Sequence, residues 1–308
     1  MINDICMRVL IAGASGAIGR PLLRSLKRSG HQVFALARSP ESAQALAEMG
    51  VEPVSADALE AASVNEAVRR IRPEAVINEL TSLPRHYTPA EMKAAAERDR
   101  KVRVEGNANL LAAMSDLGVC RYLLQSSGFW YAPGAGLADE STPFIADASP
   151  GVAASARTYA ELEARASRAP GLEFVALLYG FFYGPGTWYT ADGDMGQQLH
   201  RREVPIIGAG QGIWSFVHID DAAAATAAAL ECPPGAYNVV DDDPSPQHVW
   251  LPAFARTANA PAPPKITEQE AQASSGPDAV YYATCLRGAS NEKARRTLNF
   301  RPRRLEWL

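Results

Sequence analysis

Residues Met7 to Arg20 read MRVLIAGASGAIGR, and the reading of this stretch decides the fold. Apolar residues run up to Gly13, further glycines follow at Gly16 and Gly19, and Pro21 to Leu26 begins a helical pattern. Strand, glycine-rich turn and helix, in that order, build a dinucleotide-binding crevice. Gly13 lets the chain turn sharply, Gly16 lets the backbone approach a pyrophosphate, and Gly19 lets the helix pack close to the strand. The helix N-terminus then offers free N–H groups and a partial positive charge to the phosphates. Ser15, Ala17 and Ile18 fill the turn between these glycines and join them as candidate cofactor contacts. The bland alternative is an ordinary glycine-rich turn in an α/β protein.

Outward from this stretch, strand and helix patterns alternate. Strands are predicted at Arg8–Ala12, Gln32–Ala37, Val51–Ser55, Ala75–Leu80, Arg121–Gln125 and Phe174–Leu178. Helices are predicted at Arg20–Ser29, Pro40–Met49, Leu59–Ile71, Met92–Leu117 and Arg157–Ser167. Such alternation means a parallel sheet with helices on both faces. Gly180 to Gly212 is rich in glycine and proline and reads as loop. A strand at Trp214–Ile219, a helix at Asp220–Leu230 and a strand at Ala236–Val240 follow, then a stiff connector at Pro261–Pro264 and a helix plus turn within Gly288–Arg304. The expected fold is α/β: a Rossmann-type doubly wound parallel sheet with a smaller C-terminal substrate-binding lobe. The nucleotide domain is expected over 7–178, with 213–240 returning to it. The lobe is expected over 179–212 and 241–308.

The 308 residues suffice for a large core. Apolar content of 47% and charged content of 21% are ordinary for a globular enzyme. A net charge of -4 and no basic stripe argue against nucleic acid as a partner. No apolar run approaches the ~20 residues of a membrane span. The opening MINDICMRVL has no signal-peptide pattern, so the cytoplasm is the expected compartment. Cys6, Cys120, Cys232 and Cys285 lie far apart, form no CxxC pair and read as small buried thiols. Asp241 to Asp243 precede Pro244 and read as a solvated acidic turn, and no metal is assigned.

Several motifs in order resemble the extended short-chain dehydrogenases/reductases of the NAD-dependent epimerase/dehydratase family. GASGAIG is similar to the family's glycine turn, NANLLAAM (107–114) to its helix after the fourth strand, and QSSGFWYA (125–132) to its serine motif. FFYGPGT (181–187), FVHIDD (216–221), YNVVDD (237–242) and SNEKARRTLNFRP (290–302) match later landmarks. The resemblance covers nearly the whole chain. It implies an NAD(P)-binding enzyme in which Ser127 polarises a substrate carbonyl and Tyr159 passes a proton to or from the substrate oxygen. It further implies cofactor contacts from Asp57 and Ala58, from Leu80, Thr81 and Ser82, and from Ser126, Tyr159, Tyr179, Phe181 and Phe182. A homodimer built on the helix carrying Tyr159 is also implied.

Two positions refine this expectation. Arg38 directly follows the second strand, where an acidic residue would bind the ribose 2′-hydroxyl of NAD. An arginine there pairs instead with a 2′-phosphate, and Ser39 adds a hydrogen bond, so NADP (NADPH) is expected over NAD. The family motif YxxxK is broken: Tyr159-Ala-Glu-Leu-Glu163 carries Glu163 in place of lysine, one helical turn from Tyr159 and on its face. A glutamate accepts hydrogen bonds from ribose hydroxyls but does not stabilise a tyrosinate. It should keep the phenol neutral, at or above the reference value of ~10. A neutral tyrosine serves as an acid, which favours reduction.

Trp214 and Leu178 stand where nucleotide-sugar enzymes of this family carry arginines, although Arg201 and Arg202 remain as phosphate partners. Clustered aromatics, Phe129, Trp130, Tyr183, Trp188 and Trp214, are the candidate substrate contacts and suit a flat or apolar small molecule. The competing reading takes half or more of the aromatics in these loops as core packing, Phe181 and Phe182 above all, and His218 reads as structural. The leading expectation is an NADP-dependent reductase of a ketone or aldehyde in a bulky metabolite, aromatic ones among the candidates. A nucleotide-sugar epimerase or dehydratase and a non-catalytic NAD(P)-binding sensor are the alternatives.

Overall fold

A computed structural model describes residues 6–308. The first half alternates β1 (Arg8–Ala12), α1 (Gly19–Arg28), β2 (Gln32–Ala37), α2 (Pro40–Glu48), β3 (Glu52–Ser55), α3 (Ala61–Ile71), β4 (Ala75–Asn78), α4 (Pro89–Leu117), β5 (Arg121–Ser127), α5 (Pro150–Ser167) and β6 (Glu173–Tyr179). There follow β7 (Phe181–Tyr183), α6 (Asp194–His200), β8 (Ile206–Ile207), β9 (Ile213–Trp214), β10 (Phe216–His218), α7 (Ile219–Ala228) and β11 (Gly235–Val239). The chain closes with β12 (Ser245–Pro246), α8 (Gln247–Thr257), β13 (Lys265–Ile266), α9 (Glu268–Ser274), α10 (Pro277–Thr284) and α11 (Glu292–Thr297).

Seven strands form one parallel sheet in the order β11-β6-β5-β4-β1-β2-β3. The chain runs from β1 outward through β2 and β3, then crosses back to β4 on the other side of β1, so a crevice opens at the C-terminal ends of β1 and β4, where such sheets bind ligands. Nearly every side chain of β1, β4, β5 and β6 is buried, as a sheet covered on both faces requires. Two apolar clusters lie on its two faces. One packs Leu22, Leu23 and Leu26 of α1 and Ala222 and Ala225 of α7 beneath the sheet. The other packs Leu110 and Met114 of α4 and Leu162 of α5 above it, and continues without a break into aromatic residues such as Phe216, Trp250 and Phe254.

Several elements depart from expectation for local reasons. β4 stops at Asn78, because the Asn78 side chain accepts the Leu80 N–H at 3.0 Å and turns the chain out of the ladder. β5 reaches Ser127, placing Ser126 and Ser127 in the sheet opposite Leu178 and Tyr179. α4 begins at Pro89, capped by the Thr88 hydroxyl, with proline in the first turn where its missing N–H costs nothing. The strand expected over Trp214–Ile219 is split at Ser215, whose carbonyl accepts the Phe181 N–H at 2.8 Å while its hydroxyl accepts from Ala289 at 2.9 Å. The glycine-rich 180–212 region is not all loop: β7 pairs with β10, α6 forms, and β8 pairs with β13. Among the described residues no helix is long and apolar enough to cross a membrane.

Candidate active site

The glycine turn forms the floor of the crevice. Gly13 has φ +91°, and a Cβ there would lie 2.3 Å from the Glu79 carbonyl oxygen, so the turn packs backbone to backbone against the end of β4. A Cβ on Gly19 would lie 1.8 Å from the Ala14 carbonyl oxygen. The crowding that demands Gly19 is thus with its own turn. Gly16 is less confined: its Cβ would meet only the Gly13 carbonyl at 3.3 Å, and this side stays open to a ligand. Ser15 and Ala17 are exposed, while Ile18 is buried and anchors the turn. No side chain caps α1 and no acid lies in its first turn, but the Gly19 N–H donates to the Gly16 carbonyl at 3.0 Å and Pro21 has no N–H, so what the turn offers an anion is chiefly the positive end of the helix dipole. The cradle fits a pyrophosphate.

Directly after β2, Arg38 is exposed and makes no ion pair or side-chain hydrogen bond to a described residue. Ser39 caps α2 in a reciprocal box with Ser42, so its hydroxyl is engaged locally. Asp57 accepts the Leu59 N–H at 2.9 Å, and buried Ala58 accepts a hydrogen bond from Asn109 at its carbonyl. Beyond β4, Leu80 lies over Gly106 of α4. Thr81 is half-buried, and Ser82 is bound to α4: its N–H donates to Asp99 and its hydroxyl accepts from Arg98 at 2.7 Å.

Ser127, at the end of β5, is buried and its hydroxyl has no partner. Tyr159 projects from α5 with its ring 5.3 Å from Trp130 and under the Arg103 guanidinium, 5.0 Å from ring centroid to Cζ. No described residue bonds the Tyr159 hydroxyl. Burial pushes this phenol up to about 12, with smaller upward contributions from Asp99, Glu79 and Glu163, while Arg103 pulls it down. The neutral tyrosine expected from Glu163 is therefore chiefly a consequence of desolvation. Glu163 accepts a hydrogen bond from the Ser126 hydroxyl, and burial raises its own carboxyl.

The aromatic residues divide. Phe129 stacks on Phe181 at 4.3 Å, and Phe181 stacks on Trp214 at 4.3 Å. The Trp130 and Trp214 indoles donate to the hydroxyl and carbonyl of Tyr282, each at 3.0 Å. Trp188 stacks on Tyr87 at 4.7 Å and stays partly exposed. Tyr183, 1% exposed, is a core residue packed edge-on against His218 and Trp307. Phe182 packs against Tyr179 on the opposite side of the sheet. The Tyr179 hydroxyl is held by Glu79 and Thr226. His218 caps α7 by accepting the Asp220 N–H. Asp241 is not a solvated residue: it is buried, accepts the Phe216 and Asp243 N–H groups, and is pushed up to about 7 by desolvation.

The profile of the NAD dependent epimerase/dehydratase family matches residues 9–239. The chain belongs to this family. Within it, the chain is 40% identical over 304 residues to a 3-diazoavenalumate denitrifying reductase of a Streptomyces species, covering 98% of both proteins. It is 26% identical over 268 residues to a 2-alkyl-3-oxoalkanoate reductase of Stenotrophomonas maltophilia, covering 83% of this chain and 77% of that one. Among solved structures it resembles a Thermus thermophilus UDP-glucose 4-epimerase in complex with NAD (TM-score 0.72, 24% identity, 96% and 94% of the two chains). It also resembles a dTDP-glucose 4,6-dehydratase from Streptomyces venezuelae with NAD bound (TM-score 0.75, 18% identity, 97% and 93%). These last two likenesses speak to the fold.

Family membership, the reductase-named relatives and the open cradle together support an NAD(P)-dependent oxidoreductase. Two residues of this epimerase/dehydratase family member escaped the sequence reading. Arg103 reads as one more charge in the polar run ERDRKVRVE, and only the packing of α4 against α5 buries it. Glu79 follows an apolar strand, a position that could have drawn notice. It is 3% exposed, accepts the Tyr179 hydroxyl at 3.1 Å and is pushed up to about 8 by burial.

Proposed function

We propose that this protein is an NADP(H)-dependent reductase of a flat, conjugated small molecule carrying a carboxylate. The observation that carries the reading is that Ser127, at the end of β5, and Tyr159, on α5, both keep hydroxyls that no described residue engages, with the tyrosine held neutral. Gly13, Gly16 and the α1 N-terminus would hold the pyrophosphate, and Arg38 the 2′-phosphate. A reduced nicotinamide bound there supplies hydride. Ser127 donates a hydrogen bond to the substrate carbonyl, and Tyr159 gives its proton to the oxygen as the alcohol forms. A phenol near 12 is a poor base, which favours reduction over the alcohol oxidation that opens sugar epimerisation. The aromatic wall of Phe129, Trp130 and Trp188 suits a planar substrate. Both reductase-named relatives carry a carboxylate in the substrate of their names.

A second reading is favoured by the 40% identical relative, a denitrifying reductase of a diazo compound. Replacement of a diazonium group by hydrogen forms a C–H bond as the C–N bond breaks and dinitrogen leaves. It consumes one hydride and needs no proton at oxygen, so a YxxxK motif without its lysine is no handicap. NADPH oxidation with phenylpyruvate and with a diazo-substituted benzoate, in the wild type and in Tyr159→Phe, tests both. Carbonyl reduction that falls ~10²-fold or more in the variant supports Tyr159 as the acid. Diazo reduction that survives in the variant supports the second reading. Undiminished carbonyl reduction in the variant would remove Tyr159 from the chemistry, and no NADPH oxidation with either substrate would count against the reductase itself.

A further inference from the structure

Arg103 is 6% exposed, yet most of its hydrogen-bonding capacity is unused. A guanidinium carries several N–H donors in a rigid planar fork. Here only Nε is engaged, donating to Asp99 at 2.7 Å. No described residue accepts from Nη1 or Nη2, and neither nitrogen is sealed in the interior. Arg121, 5% exposed, shows the contrast. Its Nη2 donates to the Ala229 and Cys232 carbonyls and its Nη1 faces Glu173 at 3.5 Å, so that fork is consumed by the fold. A largely buried guanidinium whose two Nη groups have no protein acceptor, yet remain accessible, is open to a ligand that can accept from both.

The surroundings indicate what completes it. The guanidinium lies over the Tyr159 ring, and the Trp130 ring is 5.3 Å from the same tyrosine, tilted against it. Asp99 grips Nε and is itself held by the Ser82 N–H, which fixes the plane of the fork. Two parallel N–H groups in a fixed plane match a carboxylate. Glu79 and Glu163 are the other acids acting on Tyr159, and burial raises both toward the neutral form, so they compete weakly for the cation.

We propose that the open Nη fork of Arg103 binds the carboxylate of the substrate and so sets its reactive carbon beside Tyr159 and Ser127. The assignment rests on the reductase reading for the identity of the ligand as substrate. It makes the protein specific for anionic rather than neutral electrophiles. The lysine missing at 163 is then matched by a cation on α4, one that addresses the substrate.

The test compares cinnamate with cinnamamide, a neutral partner of the same shape, by calorimetric titration of the full chain loaded with NADP. The wild type should bind cinnamate at least about 10-fold more tightly than cinnamamide, as expected for a charge-assisted pair. Arg103→Gln should lose that preference while its affinities for cinnamamide and NADP stay within about twofold, which reports an intact fold and crevice. Arg103→Lys should recover part of the preference. Absence of preference in the wild type, or its persistence in Arg103→Gln, would overturn the assignment. The steady-state counterpart separates this proposal from the one beneath it. Equal KM for phenylpyruvate and its methyl ester, with NADPH consumed, would sink the Arg103 site and leave the reductase standing. A carboxylate preference in binding without any NADPH consumption would do the reverse.

Discussion

Glu79→Gln should make the protein more stable, increasingly so as pH rises. The Glu79 carboxyl is buried at the end of β4, with Oε1 accepting the Tyr179 hydroxyl and Oε2 unpartnered. Desolvation is the largest influence on it, opposed by the Tyr179 hydrogen bond and by Arg103, and the net result raises it from 4.5 to about 8. That displacement of about 3.5 pH units, at ~1.36 kcal/mol each, amounts to about 5 kcal/mol. Because the folded value lies above the unfolded one, the stabilising contribution is fully present below about 4.5. It declines by ~1.4 kcal/mol per unit through the interval and is gone above about 8. Glutamine keeps an acceptor for Tyr179 and cannot ionise. Guanidinium unfolding of both proteins between about pH 5 and pH 9 should give stability curves that diverge steadily and run parallel only above about 8. Asp241, raised to about 7, titrates in both proteins and cancels in the difference. Parallel curves across the whole range would refute the argument, since they would mean that Glu79 ionises no differently in the folded chain.

The glycine turn predicts a contrast between neighbouring positions. Gly19→Ala drives a Cβ to within 1.8 Å of the Ala14 carbonyl and should cost about 3 kcal/mol or more in chemical unfolding. Gly16→Ala meets only a contact at 3.3 Å, and should leave the free protein nearly unchanged while abolishing the melting shift given by NADP. Equal destabilisation by the two would contradict the geometry. Arg38→Ala should weaken NADP about 10-fold and leave NAD unaffected, a modest effect because the side chain is exposed. Tighter binding of NAD than of NADP by the wild type would dispose of this role for Arg38.

What the sequence made legible is what neighbouring residues determine among themselves. β1 and β2 run over the residues that their apolar runs predict, because a buried parallel strand is a contiguous pattern. β8, β9, β12 and β13 have two residues each and owe their form to partners far along the chain, such as Ser245 opposite Trp214. Two residues carry no period. α8 contains Pro252, a signal that ordinarily ends a helix, and α10 starts at Pro277 right after Gly276, a glycine–proline pair that reads as a turn before it reads as a helix start. The same division runs through the site. Ser127 and Tyr159 sit in ordered local motifs and could be named from the letters. Arg103 and Glu79 are single charges, and a charge in a sequence reads as solvated until packing removes its water. Glu163 alone suggested a site deprived of its cation, and a neutral tyrosine caused by a negative neighbour. The tyrosine is neutral mainly because it is buried, and a cation does face it, from α4 instead of α5. A substitution at one motif position thus says little about the charge of a site until the helices packed against it are known. Here the relocation has a chemical consequence: a lysine one turn from the tyrosine serves its proton, whereas an arginine with an open fork across from it is free to serve the substrate.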